Sequence, residues 1–180
     1  QRAAHRALQA RARARCLNTD ARKRRRAMRY KLTIEYDGGP YRGWQRLPDA
    51  PSVQAALEDA VEKLTGARTD VIGSGRTDAG VHAYAQVAHV DIEKSLEPFR
   101  ILEALNAHLR PHPISVLGVE EVAPEFHARF DAVQRVYEYQ ILNRRPPLAL
   151  DRGFVWRISQ RLDTDAMQIA AQRLLGNHDF

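Results

Sequence analysis

Gly73-Ser74-Gly75-Arg76-Thr77-Asp78-Ala79-Gly80-Val81-His82-Ala83 is a polar stretch set between two apolar runs, Val71-Ile72 and Tyr84 to Val90. Its three glycines, Gly73, Gly75 and Gly80, let the backbone reach angles closed to other residues. The flanking runs read as strands and the stretch as the loop between them. A polar loop held between buried strands is where a fold presents chemistry.

Working outward, the preceding residues Tyr30, Leu32, Ile34 and Tyr36 alternate with Lys31, Thr33, Glu35 and Asp37, the period of a half-buried strand. Asp37-Gly38-Gly39-Pro40 ends it in a turn. Ser52 is an N-cap for a helix through Leu64, with Val53, Leu57, Ala60, Val61 and Leu64 on one face and Gly66 at the C-terminal cap. A short strand, Thr69 to Ile72, leads into the loop, and a longer one leaves it toward Asp91. Pro98 starts a second helix with Phe99, Leu102, Leu105 and Leu109 on a shared face, stopped by Pro111 and Pro113. Ile114 to Val122 reads as a strand, and its adjacent Val116 and Leu117 predict burial on both faces and a central position. Strand, helix, strand, strand, helix, strand predicts an α+β class with a ferredoxin-like antiparallel sheet and both helices on one face.

Beyond Phe126 to Phe130, a further strand is expected from Arg135 to Leu142, with Tyr139 the more natural core aromatic. A loop follows from Asn143 to Leu150. Asp163 then caps a helix to Leu175, with Ala166, Ile169, Ala170 and Leu174 facing inward and Gly176 ending it. The expected organisation is an N-terminal α+β domain over 28–130 and the start of a second, similar and incomplete domain over 131–180.

The composition, 44% hydrophobic and 28% charged, is that of a globular protein. No apolar run approaches the roughly 20 residues of a membrane-spanning helix. The lone Cys16 excludes an internal disulfide, and no Cys/His spacing matches a zinc site, so a cytoplasmic protein without structural metal is expected. The net charge of +6 is unevenly placed. Residues 1–27 carry ten basic side chains against Asp20 alone, +9, leaving 18 basic and 21 acidic residues, −3, for 28–180. This Arg-rich extension reads as disordered chain upstream of Met28, as a nucleic-acid-binding arm, or as a transit peptide, although it lacks serine.

Asp78 is the only carboxylate between Asp70 and Asp91, and Arg76 stands two residues away. A nearby arginine keeps an aspartate ionised for attack, and can also grip a phosphate with its planar fork. The same pair reads equally as an ion pair pinning a tight turn. Glycosidase chemistry asks for two carboxylates, metal sites for more ligands, and a phosphate-binding loop for a Gly-Lys-Ser/Thr ending followed by a helix. A single attacking aspartate with no cofactor fits what remains. Tyr41-Arg42-Gly43-Trp44-Gln45 offers a stacking surface for bases, or else Trp44 caps the edge of the core. His82 reads as a hydrogen-bonded structural histidine.

Gly75-Arg76-Thr77-Asp78-Ala79-Gly80-Val81-His82-Ala83 resembles the signature of the TruA-type tRNA pseudouridine synthases. Tyr30 to Gly38, Tyr41 to Gln45, Ser52 to Glu58, Phe126 to Ala132, Arg135 to Tyr139 and Leu174 to Phe180 are similar to that family in the same order. The resemblance implies isomerisation of uridine to pseudouridine in the 38 to 40 region of the tRNA anticodon stem-loop, with no cofactor and no metal. It makes Asp78 the catalytic aspartate, acting by covalent addition or through a glycal. Arg76 would help extrude the target nucleotide and hold its phosphate, and Tyr137 would stack on the uracil. It further implies a homodimer when full length, and a basic partner for the aspartate from a C-terminal half that has no counterpart up to Phe180. Two other readings stand beside it: a non-catalytic RNA-binding module and an inactive fragment.

Overall fold

The computed structural model describes residues 27–179; the Arg-rich stretch 1–26, with each reading of it, lies outside the described residues. The chain divides into two compact units, with the boundary between Val133 and Gln134.

In the first unit the order is β1 (Met28–Tyr36), α1 (Val53–Thr65), β2 (Ile72–Gly73), β3 (Ala83–Ile92), α2 (Pro98–Leu109) and β4 (Ile114–Val122). The four strands form one antiparallel sheet in the order β2-β3-β1-β4. This is the ferredoxin-like arrangement expected from the element order. Alternation along β1 buries Tyr30, Leu32, Ile34 and Tyr36. Register sets Tyr30 opposite Val90 and Leu32 opposite Ala88, so the apolar sets of both strands share a face. Val53, Leu57 and Val61 of α1 and Ile101, Leu105 and Leu109 of α2 complete the same core. The Ser52 hydroxyl accepts the Ala55 N–H at 3.3 Å, and Gly66 closes α1 at a φ of 78°.

Three expectations within this unit are corrected. β4 is an edge strand, not a central one. Thr33 pairs with Gly118 and Ile34 with Val116, so Leu117 is the extra residue of a bulge and is 50% exposed. Two adjacent apolar residues here mark an inserted residue rather than two buried faces. The Asn106 side chain then covers the edge, donating to the Val116 carbonyl at 2.9 Å and accepting the Val116 N–H at 2.8 Å. On α2 the buried line is Ile101, Leu105 and Leu109, Leu102 flanks it, and Phe99 is 71% exposed. At helical pitch Phe99 lies about 120° from the centre of that line. β2 is shorter and later than expected, only Ile72–Gly73.

The sheet's other face is polar and is covered by the chain that follows β4. Arg29 forms a two-pronged ion pair with Asp91 at 2.7 Å and donates to the carbonyls of Pro124 and Phe126. His89, buried, accepts the Ala128 N–H on Nδ1 at 3.1 Å. Burial pushes the His89 pKa down, with Arg29 and His127 adding to the shift, so the neutral ring is the docking form.

The second unit holds β5 (Ile141–Asn143) parallel to β6 (Trp156–Ile158), and α3 (Thr164–Gln172). The strand expected over Arg135 to Leu142 is reduced to β5, and residues 135–140 are exposed and without regular structure. Alternation needs a partner ladder to become a strand, and β5 pairs only from Ile141. Tyr139, expected in a core, is exposed. Asp163 caps α3 by accepting the Ala166 N–H at 2.9 Å, but the helix ends at Gln172 instead of Leu175 and buries none of its residues.

Candidate active site

The loop carrying Asp78 begins as a continuation of the β2–β3 pairing. The Ser74 N–H donates to the Val87 carbonyl at 2.7 Å, the Ser74 hydroxyl to Gln86 Oε1 at 2.7 Å, and Gln86 Nε2 to the Gly75 carbonyl at 2.8 Å. Beyond Gly75 the loop leaves this pairing and turns, the Val81 N–H closing on the Asp78 carbonyl at 3.2 Å with Gly80 at a φ of 78°.

A second segment, Tyr36 to Trp44, lies against this turn and holds it through its backbone. The Trp44 N–H donates to the Thr77 carbonyl at 2.9 Å, and the Gly80 N–H to the Tyr41 carbonyl at 3.3 Å. The hydroxyls of Tyr36 and Thr77 share a hydrogen bond of 2.8 Å. The Tyr36 end of β1 also carries a register shift against β3, which re-aims the strand there. Two glycines make the approach possible. A Cβ on Gly43 would stand 2.5 Å from the Thr77 oxygen and 3.2 Å from the Asp78 carbonyl carbon, and one on Gly38 would stand 2.0 Å from the Val81 oxygen.

This clamp decides between the readings left open for the aromatic segment. Trp44 is 3% exposed and packs against Tyr36 with ring centroids 6.1 Å apart, and Tyr41 is buried with its hydroxyl 3.2 Å from His112 Nδ1. Both belong to the core. A Cβ on Gly73 would meet the Trp44 indole at 2.6 Å, so the indole floors the start of the Asp78 loop.

Arg76 and Asp78 are both exposed, and among the described residues neither side chain takes part in an ion pair. The turn is therefore pinned by backbone contacts and not by an Arg76–Asp78 bridge. His82 Nδ1 lies 3.1 Å from the Gly38 N–H and 2.9 Å from Asp37 Oδ1. With Nδ1 bare the ring accepts from Gly38, and with a hydrogen on Nδ1 it donates to Asp37; one nitrogen cannot do both at once. In either state it ties the far end of the loop to the Asp37 turn. Tyr137 belongs to the second unit, where it is 69% exposed in the stretch without regular structure.

Sequence reading alone misses Thr77, Tyr36, Gly38 and Gly43 as supports. Gly38 is legible as a turn residue and Gly43 as part of the aromatic segment. That their missing side chains make room for residues 77–81 is not, because those partners are distant in sequence.

A hydrogen-bonded backbone bearing an exposed carboxylate with no ion pair among the described residues, and an exposed guanidinium two residues earlier in the chain, suits attack on, or proton transfer at, a substrate held by phosphate. Among the described residues no group of three His, Cys, Asp or Glu side chains is placed to hold a metal ion, and no helix is long and apolar enough to cross a membrane.

Comparison with known proteins places this arrangement in a family. The family model described as tRNA pseudouridine synthase matches residues 32–131, from within β1 to just short of the unit boundary. A tRNA pseudouridine synthase A of Bradyrhizobium diazoefficiens is 63% identical over 152 residues, which are 84% of this chain and 62% of that protein. Proteins of the same name from Rhodopseudomonas palustris and Maricaulis maris are 62% and 56% identical over 152 residues, covering 62% and 61% of their lengths. The chain thus spans under two thirds of the length of these curated relatives. A match over most of the first unit, with Asp78 and the clamp beneath it inside the matched residues, shows that the chain belongs to the tRNA pseudouridine synthase family.

Proposed function

We propose that the protein isomerises uridine to pseudouridine in the anticodon stem-loop of tRNA, at positions 38 to 40, with Asp78 as the catalytic residue. The observation that carries this is the state of Asp78: an exposed carboxylate with no ion-pair partner among the described residues, on a backbone clamped from beneath. A group held still and left unneutralised is ready to act on a substrate rather than to support the fold. The reaction breaks the bond from N1 of uracil to C1′ of ribose and forms one from C5 to C1′. The C5 proton is lost and N1 gains one, so atoms balance without a cofactor.

A base within a stem is out of reach until it is turned out of the stack. Arg76, exposed two residues before Asp78, is assigned to the phosphate of the extruded nucleotide, and Tyr137 to stacking on the uracil. Residues 28–130 form the catalytic domain in this reading, 131–180 begin the second domain, and the full-length enzyme acts as a cytoplasmic homodimer. Incubating the full-length protein with tRNA carrying tritium at uridine C5 tests it. Tritium release is expected, and Asp78→Asn should abolish it. Full activity of Asp78→Asn would sink the assignment, and the absence of release from the unsubstituted protein would sink the reaction.

A further inference from the structure

One buried charge has no part in substrate chemistry, yet it touches both segments that converge on Asp78. Glu58 of α1 is 3% exposed. Its Oε2 accepts from Arg46 Nε at 2.6 Å, and its Oε1 accepts from Gln54 Nε2 at 2.8 Å and from the Val71 N–H at 3.3 Å. A carboxylate is expensive to bury, and a glutamine of the same shape would fill the space. The position of its partners gives the charge a purpose.

On one side, Arg46 is held by three further hydrogen bonds: its Nη2 donates to Asp59 Oδ1 at 2.7 Å and to the Ala55 carbonyl at 3.4 Å, and its backbone N–H donates to Gln54 Oε1 at 3.0 Å. Two residues before it, Trp44 holds the Thr77 carbonyl through its N–H and is itself tied to α1 where the Gln54 N–H meets the Trp44 carbonyl at 2.9 Å. On the other side, Val71 stands two residues ahead of Gly73, which rests on the Trp44 indole. Two short paths therefore leave one carboxylate, through Arg46 and through Val71 and Gly73, and meet at Trp44, whose N–H holds the Thr77 carbonyl next to Asp78.

We propose that Glu58 is a positioning residue for Asp78, setting the spacing between the clamp segment and the strand that enters the loop. The proposal rests on the function above, and its test is chosen so that the two can fail separately. Glu58→Gln in the full-length protein keeps size and one acceptor but removes the buried one of the two carboxylates that pair with Arg46, leaving the exposed Asp59. Amide hydrogen exchange is read at Trp44 and Gly80, whose N–H groups hold the loop, and at Tyr30 to Thr33 in β1 as a reference. Exchange at Trp44 and Gly80 should quicken at least about tenfold while the β1 amides stay within about twofold. For pseudouridine formation, kcat should fall by more than about tenfold with KM within about threefold, because the loop is misplaced while the substrate still binds.

Equal quickening of both sets of amides makes Glu58 an ordinary core residue and overturns the proposal. So does unchanged exchange at Trp44 and Gly80, or an unchanged kcat. Should Glu58→Gln fail to fold, Arg46→Lys, which keeps the charge but not the planar fork, is read at the same amides with the same expectations. If the unsubstituted protein forms no pseudouridine, the functional reading fails, and exchange still decides whether Glu58 holds the loop.

Discussion

Replacing Gly43 by alanine puts a methyl group where the clamp touches the Asp78 loop. The new Cβ would stand 2.5 Å from the Thr77 oxygen, 3.2 Å from the Asp78 carbonyl carbon and 3.4 Å from the Ala79 nitrogen. All three are backbone atoms, so no side-chain rotation relieves the contact. Restoring ordinary contact requires Thr77 and Asp78 to retreat by about 1 Å, a displacement that can cost about a hundredfold in rate when it moves a reacting group. The residue also sits at a φ of 99°, where a side chain adds strain of about 1–3 kcal/mol. Gly66→Ala separates the two effects. Gly66 has a φ of 78° but nothing within 4 Å of its Cβ position, so it carries the strain without the push. Chemical denaturation with tritium-release kinetics on the full-length protein should show Gly66→Ala destabilised by the strain alone and Gly43→Ala by more, with a large loss of kcat in Gly43→Ala alone. A folded Gly43→Ala enzyme with unchanged kcat would refute the claim that this clamp sets the position of Asp78.

The correction at α2 makes a direct comparison possible. Phe99→Ser should change stability by no more than about 0.5 kcal/mol, whereas Ile101→Ala should cost about 2–5 kcal/mol, both read from urea midpoints. The segment 124–130 should loosen on acidification. His89 has its pKa depressed by burial, Arg29 and His127, against opposing pulls from Asp91 and Asp131. The stability it contributes is therefore fully present above the ordinary histidine value of about 6.5 and is lost as pH falls through the depressed value. Exchange at the Ala128 amide should rise over that range, and His89→Gln should flatten the dependence.

The elements best read from residue order are those set by near neighbours. The alternation of β1, the Ser52 and Gly66 caps of α1, Pro98 opening α2 and the Asp163 cap of α3 each depend on contacts within a few residues. The same signals give the strand and helix order from which the ferredoxin-like sheet follows. Asp78 stands out in the same way, as a lone carboxylate in a glycine-rich loop.

Failures came where a distant partner decides. Val116-Leu117 looks like a strand buried on both faces until the register with Thr33 and Ile34 shows one of the two to be a bulge. Arg135 to Gln140 has the residue pattern of a strand and, among the described residues, no ladder to join. Phe99 joins the wrong face because several helical stripes are apolar and only packing selects among them. Trp44 could have faced water or the core, and the close seat at Gly73 put it in the core.

By itself the sequence determined the kinds and order of the elements in the first unit, their caps, and the loop that bears Asp78, because each rests on local backbone preference and periodic burial. Only the tertiary structure decided that Gly38 and Gly43 leave room for that loop, that Tyr36 and Trp44 hold Thr77, and that one buried carboxylate ties both approaches together. Those contacts join residues some 12 to 43 positions apart, from Arg46 and Glu58 to Gly38 and Val81, and chain closure alone brings them together.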